Sequence, residues 1–407
     1  MESNNKELLF LEQPQTQSVI NTLAQSKLGG TEEFKLIKKL RQDFTSEETS
    51  WLLNQVKLRQ KALRKFPSSM VEKMYFEEKA LEQATAWPLA LHRAQKLQAI
   101  APEGPILDLG CSMGCDALAL ATYRPVIAVD LEQSRLNILQ ANAKNLALPY
   151  SIQTLQLDYI KNKLPQAAAA FSDPARRVDS KRIYQVEETF PPLKKVVGLA
   201  KFLNIPMAIK LAPSFDKAML EDLPGASLEF VGLNKQCREA VLWLNCSIEP
   251  SLQASIYLKD GTWHQESLPI GQDIAVDVGS LHEGQYLYEI EPVLLRAGLL
   301  HKYATKLQAH LFDEQTSWLI SDKLIEEPLA DAFLITEIHK FSLKALQKRI
   351  KELNVGILEI KKRNSAIEPE TIRQKVKTCA TKNELTVFIT RQNGQPLFML
   401  GQRISHS

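Results

Sequence analysis

Asp108-Leu109-Gly110-Cys111-Ser112-Met113-Gly114, set directly after Pro105-Ile106-Leu107, decides the fold. An apolar run of strand length that ends in an acid and two glycines, and is followed by the helical pattern CDALALA, reads as strand, tight loop and helix. Gly110 and Gly114 fall where a side chain would obstruct the turn or the approach of a ligand to the backbone. Outward from this unit the texture repeats. PVIAVD, SIQTLQLD, AAAAFSD and IPMAIKLA are apolar runs ending in polar or glycine-bearing loops, with helical patterns between them. Strands that alternate with helices imply βα units on a mainly parallel sheet. SLEFVGL and EAVLWLNC, separated by the polar stretch NKQCR, close that sheet as an antiparallel pair and bring the strands to seven. ASIYLKDGTWHQESL reads as an additional hairpin turning at Asp260-Gly261.

Before the sheet, residues 1–95 read as helical. SEETSWLLNQVKLRQKALRKF starts at Ser46 as N-cap and stops before Pro67, and MVEKMYFEEKALEQATAWPLALHRAQKL follows with a break near Pro88. This is expected to form a helical arm or cap. After the sheet, YLYEIEPVLLRAGLLHKYATKLQAHLF reads as a turn and a helix that join two α/β regions. FLITEI, SLKALQKRIKEL, VGILEIKKR, PETIRQKVKT, LTVFITR and PLFMLGQR then give a βαβαββ pattern, with Asn393-Gly394 between the last two strands. The expected organisation is α/β: a helical region over 1–95, a Rossmann-like seven-stranded domain over 96–275, a connecting segment over 276–330 and a small α/β domain over 331–407.

Composition narrows the function classes. The 407 residues are 44% hydrophobic, ordinary for a soluble globular protein. No stretch reaches the roughly 18 to 20 apolar residues of a membrane helix, and MESNNKELLFLEQPQTQ lacks the pattern of a secretory signal, so a cytoplasmic protein is expected. The five cysteines are an odd number for a disulfide framework. Cys111 and Cys115 have ligand-like spacing, but no second pair or nearby histidine completes a metal site, and they read as small fillers of a tight turn. A net charge of +3 excludes an indiscriminate polycation. Basic residues nonetheless cluster: residues 340–377 hold eleven Lys or Arg against four Glu, and Lys57–Lys65 holds five with no acid. Each cluster reads either as a nucleic-acid contact or as a solvated helix face.

Ligands of an open α/β sheet bind beyond the carboxyl ends of its strands. Dinucleotide enzymes use G-x-G-x-x-G there, whereas this loop is D-x-G-x-x-x-G with an acid leading it. The second strand ends in Asp130, followed by Leu131, placed to accept hydrogen bonds from ribose hydroxyls. Asp108 either holds the loop or meets an ammonium group, and Ser112 with the backbone N–H groups near it is placed to receive a carboxylate. Asp158 is placed to hydrogen-bond an adenine amino group or to cap the following turn, with Tyr159 or Ile160 packing on the ring. Three acids at successive strand ends point to S-adenosylmethionine as the cofactor. The fourth strand ends in Phe171-Ser172-Asp173-Pro174-Ala175-Arg176-Arg177. Asp173 with Pro174 suits an acceptor amine, and Arg176 and Arg177 suit a phosphate or form an exposed basic turn. Lys210 is a second candidate for the site or a solvated strand-end lysine.

These blocks resemble a bacterial family of class I S-adenosylmethionine-dependent methyltransferases with a helical N-terminal region and a C-terminal THUMP-like domain of ferredoxin-like α/β type. The resemblance runs through RQKALRKFP, LEQATAWPLALHRA, DLGCSMGCDALALA, FSDPARR, CREAVL, YLYEIEPVLLRAGL and ILEIKKRNSAIEPETIR. It implies Asp108, Gly110, Gly114, Asp130 and Asp158 as the cofactor pattern and Asp173-Pro174-Ala175-Arg176 as the acceptor loop. In nucleic-acid amino methyltransferases the corresponding loop often has Asn or Asp, two prolines and an aromatic residue, of which Asp173-Pro174 keeps the first half. Asn364 stands where related chains are expected to have glycine. The resemblance also implies an RNA-oriented architecture, with structured RNA (tRNA or rRNA) as partner, and no membrane or metal. Two other functions fit the same residues: methylation of a small molecule or protein, and RNA binding with cofactor retained but no turnover.

Overall fold

The computed structural model describes residues 2–24, 28–174, 177–178, 181–182, 189–247, 249–272 and 274–404. They group into two compact units, Met1–Glu229 with Glu239–Pro250, and Phe230–Arg238 with Ser251–Ser407. The first unit opens with α1 (Glu2–Leu11), α2 (Pro14–Leu23), α3 (Gly30–Leu40), α4 (Ser46–Ala62), α5 (Ser68–Val71), α6 (Glu78–Gln83) and α7 (Trp87–Ile100). The α/β part runs β1 (Ile106–Leu109), α8 (Cys115–Leu120), β2 (Val126–Asp130), α9 (Gln133–Leu146), β3 (Ile152–Gln156) and β4 (Ala169–Ser172). Two short strands, β5 (Arg177–Val178) and β6 (Lys181–Arg182), precede α10 (Leu193–Leu203), β7 (Met207–Leu211), β8 (Ser227–Leu233) and β9 (Gln236–Leu244).

The main strands follow the order β8-β9-β7-β4-β1-β2-β3. β1 pairs in parallel with both β2 and β4, so the order reverses at β1 and opens a crevice over the carboxyl ends of β1 and β4. β9 runs antiparallel to β7, so the sheet closes with an antiparallel edge as expected. NKQCR gives less of itself to the turn than its polarity suggests. Only Asn234 and Lys235 turn, both with positive φ (54° and 57°), and Gln236-Cys237-Arg238 already belong to β9.

The N-terminal helices share a core with the α/β part. Leu8, Leu11, Ile20, Leu52 and Val56 cluster with Tyr75 and with Ala141 of α9. Asn142 on α9 accepts the Tyr75 N–H at 2.7 Å and donates to the Tyr75 carbonyl at 3.0 Å. The cap of α4 is Thr45, one residue before Ser46: its hydroxyl accepts the Glu48 N–H at 3.2 Å, and the Glu48 carboxylate accepts the Thr45 N–H at 2.8 Å. Pro88 lies in the first turn of α7, where its missing N–H removes no helical bond, so it starts a helix after the expected interruption. The basic run Lys57–Lys65 divides: Lys57, Lys61 and Arg64 are exposed, as on a solvated face, whereas Arg59 and Lys65 are built into the fold. Arg59 is buried and donates to the Met74 carbonyl, Asn21 and Gln17 at 3.0 to 3.1 Å. Lys65 donates to the carbonyls of Leu81, Glu82 and Ala84 at 2.7 to 2.8 Å and so closes the end of α6.

In the second unit β10 (Ser251–Tyr257) and β11 (Trp263–Pro269) pair antiparallel about Asp260-Gly261, with Gly261 at φ 87°. The segment expected as a turn and helix begins instead with a strand, β12 (Tyr286–Ile290), followed by α11 (Pro292–Arg296), α12 (Leu300–Lys306), β13 (His310–Leu311) and β14 (Leu319–Ser321). Leu287 and Tyr288 are buried in β12, which pairs with β14. The expected βαβαββ pattern follows as β15 (Ala330–Lys340), α13 (Leu343–Glu352), β16 (Ile357–Lys362), α14 (Pro369–Lys375), β17 (Glu384–Gln392) and β18 (Gln395–Arg403). Its sheet has the order β13-β14-β12-β15-β18-β17-β16. Leu346 and Ile350 on α13 are buried in its core and Leu343 packs partly buried against it. Asn393-Gly394 turns β17 into β18 with both φ positive (49° and 75°). Among the described residues no helix is long and apolar enough to cross a membrane.

Candidate active site

Strand β1 delivers Asp108 and the loop behind it to the crevice. Gly110 leaves the strand at φ 81°, and its N–H and that of Cys111 donate to the Val129 carbonyl at 2.8 and 3.0 Å. Ser112 adopts the left-handed region (φ 52°) and donates its N–H to Oδ2 of Asp130 at 2.8 Å. The other oxygen of Asp130 accepts the Glu132 N–H at 2.9 Å. Gly114, at φ 87°, has no room for a side chain: a Cβ would stand 2.1 Å from Cδ1 of Leu139 on α9. At Gly110 a Cβ would meet Tyr159 at 3.7 Å and the Asp173 carbonyl at 4.0 Å, ordinary contact distances, so it is the positive φ and not crowding that asks for glycine there. Asp108 is fully buried, and its Oδ2 has no hydrogen-bond partner among the described residues. Burial first, then the neighbouring carboxylates of Asp116 and Asp173, push its carboxyl well above the usual range against the pull of Arg93.

Two residues from the end of β3 complete the rim. Tyr159 is buried, with its hydroxyl 3.2 Å from the Ser172 hydroxyl, and burial pushes its phenol up. The Asp158 carboxylate accepts the Ile160 N–H at 3.0 Å and pairs with Lys161 at 3.0 Å; the Lys161 hydrogen bond, foremost, holds it below its usual range. That is the capping alternative of the two the sequence allows. Leu131 is exposed at the end of β2, and its carbonyl accepts from Gln156 at 3.0 Å.

The end of β4 meets a buried polar network. Lys210 on β7 is buried and its ammonium donates to Oδ2 of Asp173 at 2.5 Å and to the Thr85 hydroxyl at 2.9 Å. Thr85 donates in turn to Asp116 at 3.0 Å, and Arg93 bridges Asp116 and Glu239 while its guanidinium lies 4.4 Å from the centre of the Phe171 ring. Burial opposes the charge on Lys210, but Asp173, Asp116 and Glu239 outweigh it and raise the ammonium above its ordinary value. Lys210 is therefore no solvated strand-end lysine. Pro174 is buried beside Asp173, whereas Ala175 and Arg176 lie outside the described residues and Arg177 is described only as backbone.

Residues 330–403 match the family model described as THUMP domain-like. Over 352 residues, 85% of this chain and 93% of the relative, the sequence is 26% identical to an uncharacterised S-adenosylmethionine-dependent methyltransferase of Mycobacterium tuberculosis. A shorter stretch of 115 residues, 26% of this chain and 41% of the relative, is 36% identical to the release factor glutamine methyltransferase of Escherichia coli. A solved Porphyromonas gingivalis chain classed as a methyltransferase has the same fold, with a TM-score of 0.75, 18% identity, and 96% of this chain and 98% of that chain covered. The chain is an S-adenosylmethionine-dependent methyltransferase with a THUMP-like C-terminal domain.

The residues of the methyltransferase fit its methyl donor. A buried carboxyl oxygen without a partner among the described residues, at Asp108, suits a cationic ammonium, and the positive φ of Gly110 suits a loop that turns its backbone toward a ligand. The structure brings Asp108, Gly110, Ser112, Gly114, Asp130, Tyr159 and Asp173 around one crevice. Sequence reading missed Thr85, Arg93, Asp116 and Glu239, which come from α6–α7, α8 and β9. The sequence WPLALHRAQKLQAI carries no signal for them, since Arg93 stands there among His92, Lys96 and two glutamines. In the THUMP-like domain, Asn364 keeps a positive φ of 50°, so the turn expected of glycine survives. Lys361 and Arg363 both pair with Glu289, at 2.5 and 3.5 Å, and Lys362 pairs with Glu368 at 2.5 Å.

Proposed function

We propose that the enzyme transfers the methyl group of S-adenosylmethionine to a base in structured RNA, a tRNA or rRNA. In this reading Asp108 receives the donor's ammonium, Gly110, Ser112 and Gly114 shape the loop beneath it, and Asp130 with Leu131 borders the ribose. Tyr159 packs on the adenine ring, and Asp158 fixes the turn that holds Tyr159. Asp173 and Pro174 face the acceptor, with Arg176 toward a phosphate. The sulfonium supplies an activated methyl group and a good leaving group, which leaves the chain's residues the work of alignment and exclusion of water. Asp173 orients an acceptor N–H through its carboxylate.

The observation that carries the RNA reading is the exposed basic face of the THUMP-like domain. Lys344, Lys348 and Lys351 project from α13 on the side away from Leu346 and Ile350, and Lys375 and Lys377 are exposed at and beyond the end of α14. Lysines that keep no short ion pair with a described residue are available to phosphates; the Lys348 ammonium lies 3.7 Å from Glu352, the one contact of its kind between these five and the described residues. The test is incubation with labelled S-adenosylmethionine and total RNA from a strain lacking the gene, followed by mass spectrometry of the labelled nucleoside. Protein is the second reading, favoured by the stretch shared with the release factor enzyme. Label in protein side chains and none in RNA would replace the first reading with it.

A further inference from the structure

Asp173 does not stand alone at the end of β4. The parallel pairing of β4 with β7 sets Ser172 opposite Ile209, and one residue further the same register sets Lys210 beside Asp173. The Lys210 ammonium reaches Oδ2 of Asp173 at 2.5 Å and is held from behind by Thr85 at 2.9 Å. Thr85 in turn is fixed by Asp116, and Asp116 by Arg93, which also binds Glu239. The anchor is deep and the tip is not: the Lys210 side chain is 4% exposed and that of Asp173 27%. No described residue bonds Oδ1 of Asp173.

An ammonium this deep cannot serve a phosphate at the surface, and replacing it by an apolar residue would leave Asp173 without its paired cation. Its position has a geometric consequence. With Oδ2 tied, the carboxylate cannot rotate freely, and Oδ1, which no described residue bonds, is held in place to accept a hydrogen bond from a group entering the crevice. We propose that Lys210 is a positioning residue for methyl transfer, which acts through Asp173 by fixing the plane of its carboxylate so that Oδ1 meets the acceptor N–H. The inference rests on the reading of Asp173 as part of the acceptor site. Two cations, Lys210 and Arg93, share this cluster with three carboxylates, Asp116, Glu239 and Asp173, so the exposed end of the chain of bonds keeps an acceptor character.

The test is a mutant cycle on kcat. Labelled S-adenosylmethionine is the donor, and total RNA and total protein from a strain lacking the gene are offered in parallel; whichever takes the label serves as acceptor. Lys210→Met should lower kcat on the order of tenfold or more, with the affinity for S-adenosylhomocysteine within about twofold of wild type. In an Asp173→Asn background the same change should cost little more, because residues that act as one unit are not additive. Thr85→Val, which removes the second anchor and keeps the ion pair, should give a smaller loss that the Asp173→Asn background also masks. If Lys210→Met does not fold, Thr85→Val decides in the same cycle. Additive losses, a silent Thr85→Val in that case, or an equal loss of S-adenosylhomocysteine affinity would overturn the positioning role. An Asp173→Asn enzyme with wild-type turnover would instead remove Asp173 from the acceptor site, and no label in either pool would overturn both.

Discussion

Asp108 offers the sharpest quantitative consequence of the site. Its carboxyl is fully buried, one oxygen has no partner among the described residues, and its proton affinity in the fold is raised well above the ordinary value of 3.8. Between 3.8 and the folded-state value the unfolded chain releases this proton and the folded chain retains it. The folded state then binds more protons, so this group's contribution to stability is fully present below 3.8 and is lost as pH rises. The loss approaches about 1.4 kcal/mol per pH unit across that window. Asp108→Asn removes the titration, and with it that part of the slope. Urea unfolding over a series of pH values above 3.8 should show wild type losing stability relative to the variant by up to that amount per unit until the folded carboxyl ionises. The donor's ammonium has the opposite effect on the same group, because a nearby cation favours the carboxylate. Binding of S-adenosylhomocysteine, which has the same ammonium, should therefore release protons, and affinity should rise with pH wherever the unliganded carboxyl is protonated. Calorimetry in buffers of different ionisation enthalpy measures the release. Equal slopes in urea and equal proton release in wild type and Asp108→Asn would refute the assignment of Asp108 as the ammonium's partner.

Three further outcomes are expected. Asp130→Ala should weaken S-adenosylhomocysteine by about one to two decades, since a hydrogen bond to a charged acceptor contributes roughly 1.5 to 3 kcal/mol, and unchanged affinity by calorimetry would remove Asp130 from the donor site. Asp158→Ala should act mainly through the turn it caps, so its affinity loss should be well below that of Asp130→Ala; an equal loss would mean direct contact with the ligand. Exchanging Lys344, Lys348 and Lys351 for Ala should flatten the salt dependence of RNA binding by a slope of up to about 2 to 3, and a wild-type salt series would exclude α13 as an RNA contact.

The sheet was legible because its strands are short apolar runs bounded by glycine, proline and acids, and because parallel strands buried on both faces read as continuous hydrophobic stretches. β1, β2, β4 and β7 are buried along their whole length, and each stands where PILDLG, PVIAVD, AAAAFSD and IPMAIKLA place it. β12 was not legible for the opposite reason. YLYEI has two tyrosines and an acid in five residues, is only partly buried, and passes directly into Pro292 and a helix, so neither a continuous apolar run nor a clear alternation sets it apart from the helical pattern behind it. The loop carried its own evidence, since positive φ at Gly110 and Gly114 is what glycine is selected for. The network under Asp173 carried almost none. Thr85, Arg93, Asp116, Lys210 and Glu239 are spread over more than 150 positions of sequence, and their meeting depends on the strand order, which brings β9 next to β7 and β7 next to β4.

The same limit governs the basic run Lys361-Lys362-Arg363. Three adjacent cations at a strand end suggest a phosphate-tracking surface when their neighbours are unknown, because charge is readable from sequence and pairing is not. In the fold, β16 sets Lys361 and Arg363 toward Glu289 on β12, and the guanidinium of Arg363 lies 5.5 Å from the centre of the Trp318 ring. Lys361 has a second acid, Glu359, at 3.2 Å. Groups already neutralised and partly desolvated must give up these contacts before they can meet a phosphate, so their net gain from RNA is small. Replacing all three with Ala should therefore cost stability of the THUMP-like unit, seen as a lower unfolding midpoint, and change the salt slope of RNA binding by less than the Lys344, Lys348 and Lys351 exchange. The reverse order of the two slopes would show that the pairs open on binding and that the strand end, rather than α13, tracks the phosphates.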